Sequence, residues 1–174
     1  MVFVLEKMEG KSVPRMTDPM DALIDFRRAL AQREIGVQKA DFHADIFVHV
    51  DQPAGSPRYT YGLVEGGEVT AVALFALTEP IDGLPTFQLG YAVMEPRRGC
   101  GRAQRIVMAA IEEICCGLSR NGIPKLYIEA VVDRENLTSV HIAEKVIGGP
   151  RTECLDHDSG VAAFQFQRLV DSSW

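Results

Sequence analysis

Gly90-Tyr91-Ala92-Val93-Met94-Glu95-Pro96-Arg97-Arg98-Gly99-Cys100-Gly101-Arg102-Ala103 is the stretch that decides the fold of this chain. Residues 86–94 form a short run between Pro85 and Pro96, rich in β-branched and aromatic side chains, which predicts a strand. Beyond the stretch, Ile106, Ala110, Ile114 and Leu118 recur at helical spacing, with Val107, Ile111 and Cys115 beside them. Between strand and helix lie two glycines. They let backbone N–H groups come close to a ligand where a helix N-terminus presents unpaired donors and partial positive charge. Taken together these features predict a phosphate site; the plainer reading is an ordinary strand-to-helix turn.

A second segment adds to the first. Arg98-x-x-Gly101-x-Ala103 resembles the pyrophosphate-binding signature of the GCN5-related N-acetyltransferases, which is Arg or Gln, two residues, Gly, one residue, Gly or Ala. Some way on, Asn136-Leu137-Thr138-Ser139, followed by Glu144-Lys145 and Gly148-Gly149, is similar to the second cofactor segment of that family. The order and spacing match, and the resemblance covers roughly residues 59–170, the cofactor-binding core of a single domain spanning 1–174. It implies an α/β (α+β) fold with a mixed, mostly antiparallel central sheet and helices on both faces. The activity it implies is direct transfer of an acetyl group from acetyl-CoA to a primary amine, with no metal.

Other nucleotide ligands fit less well. A dinucleotide fingerprint requires a third glycine where Gln104 stands and an acidic residue near the place of Asn121, and no GxxxxGK[ST] motif occurs. Coenzyme A is the better guest. The resemblance implies that backbone N–H groups of Arg98, Gly99, Cys100, Gly101, Arg102 and Ala103 hold its pyrophosphate, with the side chains of Arg97, Arg98 or Arg102 adding charge. It also implies that the strand at Val93 pairs with pantetheine, that this strand and the one bearing Glu129 splay apart, and that Asn136 and Ser139 approach from the second helix. Asn136 also reads simply as an N-cap, and Ser139 as a surface position.

Acetyl transfer needs a neutral amine, a polarised carbonyl and a proton for the thiolate. Glu129 is the preferred general base; the plain alternative is a solvated strand residue, and Glu79 and Asp82 are the runners-up. Many relatives carry a tyrosine seven residues after the asparagine, where this chain has Ala143. Tyr91, Tyr127, His141 and Cys154 stay open as donors, and the sequence prefers none of them. That gap supports a second reading, a non-catalytic acyl-CoA-binding sensor or interaction module.

Composition agrees with an ordinary globular protein: 174 residues, 47% hydrophobic and 24% charged. A formal net charge of −6 and the absence of any Lys/Arg run argue against a nucleic-acid groove. No apolar run reaches membrane-spanning length, and the N-terminus lacks the pattern of a signal peptide. The four cysteines form no CxxC pair, so neither a disulfide framework nor a zinc site is expected, and Cys115 and Cys116 read as small apolar helix residues. A cytoplasmic location is expected on these grounds. The acceptor, a small-molecule amine or a protein N-terminus, stays open, as does a homodimer.

In chain order, residues 2–5 form a short strand or an irregular start. Asp18-Pro19 predicts a helix start, with Leu23, Ile24, Leu30 and Ala31 as its buried stripe and Gly36 as its stop. Residues 42–50 alternate as a strand, where the family usually has a second helix. Residues 59–64 and 69–77 form a hairpin, and a loop over 79–85 follows. A strand at 126–132 runs parallel to the one before the long helix. A shorter helix opens at Asn136 and carries Val140, Ala143 and Val146, with Ile147 as an extra residue at its end. A turn over 154–159 then leads to a final strand over 160–170.

Overall fold

The computed structural model describes residues 18–172; the strand expected at residues 2–5 lies outside the described residues. Helix α1 spans Pro19–Ala31, with Asp18 accepting the Met20 N–H at 2.9 Å and proline in the first turn. Strands β1 (Gln38–Lys39), β2 (Ile46–Asp51), β3 (Arg58–Glu65), β4 (Glu68–Ile81) and β5 (Leu84–Val93) then run antiparallel in sequence. Helix α2 (Arg102–Arg120) leads into β6 (Lys125–Asp133), and α3 (Leu137–Val146) into β7 (Thr152–Leu155) and β8 (Ala162–Asp171). The eight strands form one sheet in the order β1-β2-β3-β4-β5-β6-β8-β7, in which β5 and β6 are the parallel pair. The expected architecture, a mixed and mostly antiparallel sheet with helices on both faces, is the one observed.

Two cores lie on opposite faces of the sheet. On one, Ile106, Val107, Ala110 and Ile114 of α2 and Val140, Ala143 and Val146 of α3 pack on Phe75, Phe87, Ile128 and Phe166. Cys115 belongs to this core, and burial pushes its thiol up to about 11, so it stays a neutral, packed side chain. On the other face, Leu23 and Phe26 of α1 pack on Val69, Val72 and Ala92. Here the expected stripe is corrected. Ile24 is 52% exposed and Ala31 is exposed, because the buried face runs Met20, Leu23, Phe26 and Leu30, and Ile24 lies about 100° round the helix from Leu23.

Several boundaries differ from the expectation, the first being the end of α1, which stops at Ala31 with Arg33 at φ 58° rather than at Gly36. The loop over 79–85 is a hairpin: β4 runs to Ile81 and β5 starts at Leu84, with Asp82 and Gly83 at φ 51° and 74°, the left-handed pair that a two-residue turn demands. Prolines at 80 and 85 had obscured it; a register shift between Thr78 and Ile81 accommodates the first. Residues 42–45 precede β2 rather than belong to it, since the buried Glu113 carboxylate of α2 takes the N–H groups of Asp41 and Phe42 at 2.9 and 2.7 Å and turns the chain there. Cys154 lies in a strand, β7, paired with Ala163 of β8, rather than in a turn. Ile147 caps α3 and is buried, followed by Gly148 at φ 70°.

Helix α1 sits close on Gly62 of β3, where an added Cβ would stand 2.4 Å from Phe26 Cε1. Gly62→Ala is therefore expected to destabilise the fold by about 1–3 kcal/mol through overpacking. Gly36→Ala, where nothing lies within 4 Å, should be neutral. Urea unfolding midpoints of the two variants check this.

Candidate active site

The parallel register of β5 and β6 is short: Thr86 faces Tyr127, Phe87 faces Ile128 and Gln88 faces Glu129, and there the pairing stops. Neither strand has ended. β5 continues to Val93, paired on its outer side with β4 as far as Ala71, and β6 continues to Asp133, paired with β8 as far as Ala163. The sheet is thus split from the inside, with two firmly held strands diverging past Gln88 and Glu129. Their inner edges face each other without the ladder bonds that paired strands make, which is how a sheet offers backbone donors and acceptors to an extended ligand.

At the end of β5 the chain makes a short 3-10 turn, Glu95–Arg97, and then an exposed loop to α2. Gly99 and Gly101 have φ of 77° and 73°, which side chains resist, and no atom lies within 4 Å of where a Cβ would stand on either. Gly101 is the N-cap of α2 and supplies no side-chain cap. The first helical bond across this boundary runs from Arg105 N–H to Gly101 C=O at 3.0 Å, so the amides just ahead of it stand outside the helical ladder. This is a bare helix N-terminus at the mouth of the split.

The three arginines of the loop divide their tasks. Arg98 Nε donates to the Val93 carbonyl at 3.1 Å and ties the loop back onto β5. Arg102 ties the loop to β3: its Nε and Nη2 grip Glu65 at 2.6 and 3.3 Å, and Nη1 donates to the Arg97 carbonyl at 3.2 Å. Glu65, at the end of β3, also accepts from Thr70 at 2.7 Å and lies 3.7 Å from Arg105, which in turn pairs with Asp45. Arg102 first, then Thr70, hold the Glu65 carboxyl below its usual range. The Glu65 clamp was not anticipated, because nothing in the sequence relates a hairpin glutamate to an arginine 37 positions later. Arg97 and Cys100 are exposed on the loop.

Across the split, Asn136 is the N-cap of α3 and accepts the Ser139 N–H at 3.1 Å. Ser139 Oγ accepts from the Tyr91 hydroxyl of β5 at 3.0 Å, one bond spanning the opening from strand to helix. Glu129 sits at the apex of the split on the opposite sheet face, since its neighbours Ile128 and Ala130 point into the α2/α3 core. Its Oε2 accepts from Gln165 and Gln167 of β8 at 2.7 and 2.8 Å, leaving Oε1 without a partner among the described residues. Gln165 and Gln167 alternate with the partly buried Phe164 and the buried Phe166, a readable signal that they share the Glu129 face. Of the runner-up acids, Asp82 accepts from the Tyr127 hydroxyl at 3.1 Å in the β4–β5 turn, and Glu79 is exposed. Among the described residues no group of three metal-ligating side chains occurs, and no helix is long and apolar enough to cross a membrane.

No protein-family model matches the chain, and no curated protein matches it either. Solved structures do. An acetyltransferase of the GNAT family from Streptococcus pneumoniae matches with a TM-score of 0.52 at 15% identity, over 90% of this chain and 97% of that one. RimL, a ribosomal alpha-N-protein acetyltransferase in complex with coenzyme A, matches with a TM-score of 0.50 at 16% identity, over 90% of this chain and 76% of that one. A GnaT-family acetyltransferase from Bordetella pertussis matches at 0.50 and 20% identity; there the match spans 65% of each chain. At such identities the likeness is one of fold.

The Glu65 clamp carries a pH signature. A carboxyl held below its usual range stabilises the fold above its unfolded-state pKa and loses that contribution as pH falls through its folded value. Glu65→Gln should therefore be less stable than the wild type at neutral pH, and the gap should close in acid. Urea unfolding at neutral pH and below the carboxylate range tests this; a gap that stays constant contradicts the clamp.

Proposed function

We propose that this chain, which has the fold of the GCN5-related N-acetyltransferases, moves an acetyl group from acetyl-CoA directly to a primary amine. One observation carries the reading. The sheet splits past Gln88 and Glu129, and an exposed glycine loop with a bare helix N-terminus lies at the end of one arm while a capped helix follows the other.

The residues present fit coenzyme A. Its pyrophosphate would take the backbone N–H groups from Arg98 to Ala103, with the exposed Arg97 and Arg98 adding charge, while Arg102 serves by holding the loop through Glu65. Pantetheine would lie along the inner edge of β5 up to Val93, with Asn136 and Ser139 on the other side. When bound, the coenzyme supplies an acetyl thioester, a carbonyl already activated for attack. The chain supplies the rest. Backbone N–H groups on the free edge of β5 would polarise the carbonyl. Glu129, oriented by two neutral amides and keeping Oε1 open, would take the proton of the incoming amine. The amine would enter from the Glu129 face, where Gln88 and Gln167 are exposed. A small amine and a protein N-terminus both suit this polar opening, and RimL, with the same fold, is named for the latter.

The second reading, an acyl-CoA-binding module without turnover, draws on Ala143, which is 2% exposed and offers no proton. Calorimetric titration with acetyl-CoA and thiol release with a panel of amines separate the two: saturable binding with release supports the transferase, and binding alone supports the module. Gly101→Val should abolish binding with the fold intact, because a β-branched residue resists φ of 73°. Glu129→Gln should lower kcat about 10²-fold and leave the acetyl-CoA affinity unchanged. Wild-type rates in that variant would remove Glu129 as the base.

A further inference from the structure

The proposed transfer ends with a thiolate that needs a proton, and this inference rests on that reading. Ala143 supplies none. Of the four donors open to the sequence, the structure separates one from the rest. Tyr127 lies on the paired stretch before the split, its hydroxyl donating to Asp82. His141 is exposed on α3. Cys154 is on the edge strand β7, with β8 and β6 between it and the opening. Tyr91 alone among them lies past the split, on an arm of the opening, with its ring packed toward α2 and α3 and its hydroxyl 3.0 Å from Ser139 on the far side.

We propose that the Tyr91 hydroxyl, steered across the opening by Ser139, is the proton donor to the departing thiolate, with Ser139 as its positioning residue. Base and acid then sit on opposite faces of the sheet, Glu129 where the amine enters and Tyr91 on the side of the two cofactor helices. The placement suits a transfer that passes through the gap from one face to the other. Burial pushes the Tyr91 phenol up, partly offset by the Ser139 bond, and no charged side chain takes part, so the hydroxyl keeps its proton at neutral pH. In the step, the C–N bond forms and the C–S bond breaks. The sulfur takes the hydroxyl proton of Tyr91, which is restored from solvent. The proton lost by the amine passes to Glu129 and on to solvent, so the products are the amide and a free thiol.

The test uses Tyr91→Phe and Ser139→Ala with two readouts. The first is thiol release from acetyl-CoA with spermidine or a peptide bearing a free N-terminus as acceptor. Tyr91→Phe should lower kcat about 10²-fold with the calorimetric affinity for acetyl-CoA unchanged, and Ser139→Ala should lower it less. The second needs no turnover: the thiol of bound coenzyme A is followed by thiolate absorbance as pH rises. A hydroxyl that donates to sulfur stabilises the thiolate, so ionisation should occur at lower pH in the wild type than in either variant. Unchanged kcat, or ionisation at the same pH in wild type and Tyr91→Phe, overturns the assignment of Tyr91. A wild type that binds coenzyme A but transfers to neither acceptor overturns the transferase reading for those amines while the ionisation still decides Tyr91. Absence of coenzyme A binding overturns both.

Discussion

Two strands that part company past Gln88 and Glu129, each held beyond that point on its outer side, are the constraint on which the rest of the molecule depends. β5 is zipped to β4 along its length and β6 to β8 along its length, so each is rigid without help from the other. Leaving the inner edges apart forfeits several ladder bonds and exposes backbone groups that a closed sheet would satisfy. A fold carries such a cost where the opening has a use. Beside the opening, Pro19 of α1 lies close to Gly90 of β5, and the Tyr91–Ser139 bond links β5 to α3.

The loop at the end of β5 inherits its rigidity from elsewhere. Its glycines have room around them, so nothing in the loop itself holds its path. Arg98 ties it to Val93, and Arg102 ties the first turn of α2 to the β3–β4 hairpin through Glu65. Exposed ion pairs contribute little stability one by one, but this contact is forked, shared with Thr70 and Arg105, and half-buried. Its role is geometric: through Arg102 it fastens the start of α2 and the Arg97 carbonyl of the loop to the β3–β4 hairpin.

The two sheet faces carry different chemistry for a simple reason. Strand alternation sends Tyr91, Ile128 and Phe166 toward α2 and α3, and sends Gln88, Glu129, Gln165 and Gln167 the other way. α1 covers the latter face over β3, β4 and β5 and leaves the β6–β8 part polar and accessible. One face is therefore packed under α2 and α3, and the other is polar beyond the cover of α1.

Local chemistry was enough to read much of this. Periodicity gave α2, α3 and β6; Asp18-Pro19 and Asn136 marked helix starts; the glycine pair located the loop; and a helix crossover required β5 and β6 to be parallel. These features depend on residues close in the chain, where backbone preference and side-chain alternation act directly. What depended on distant partners was not legible: the buried stripe of α1, set by the sheet it meets; the turn at 41–42, set by Glu113; the pairing of Arg102 with Glu65; and the amide pair that orients Glu129. The sequence by itself determined the helix starts, most of the strands and the glycine loop between β5 and α2. Only the tertiary structure decided which side chains meet between these elements, because those contacts join residues tens of positions apart that no local pattern relates.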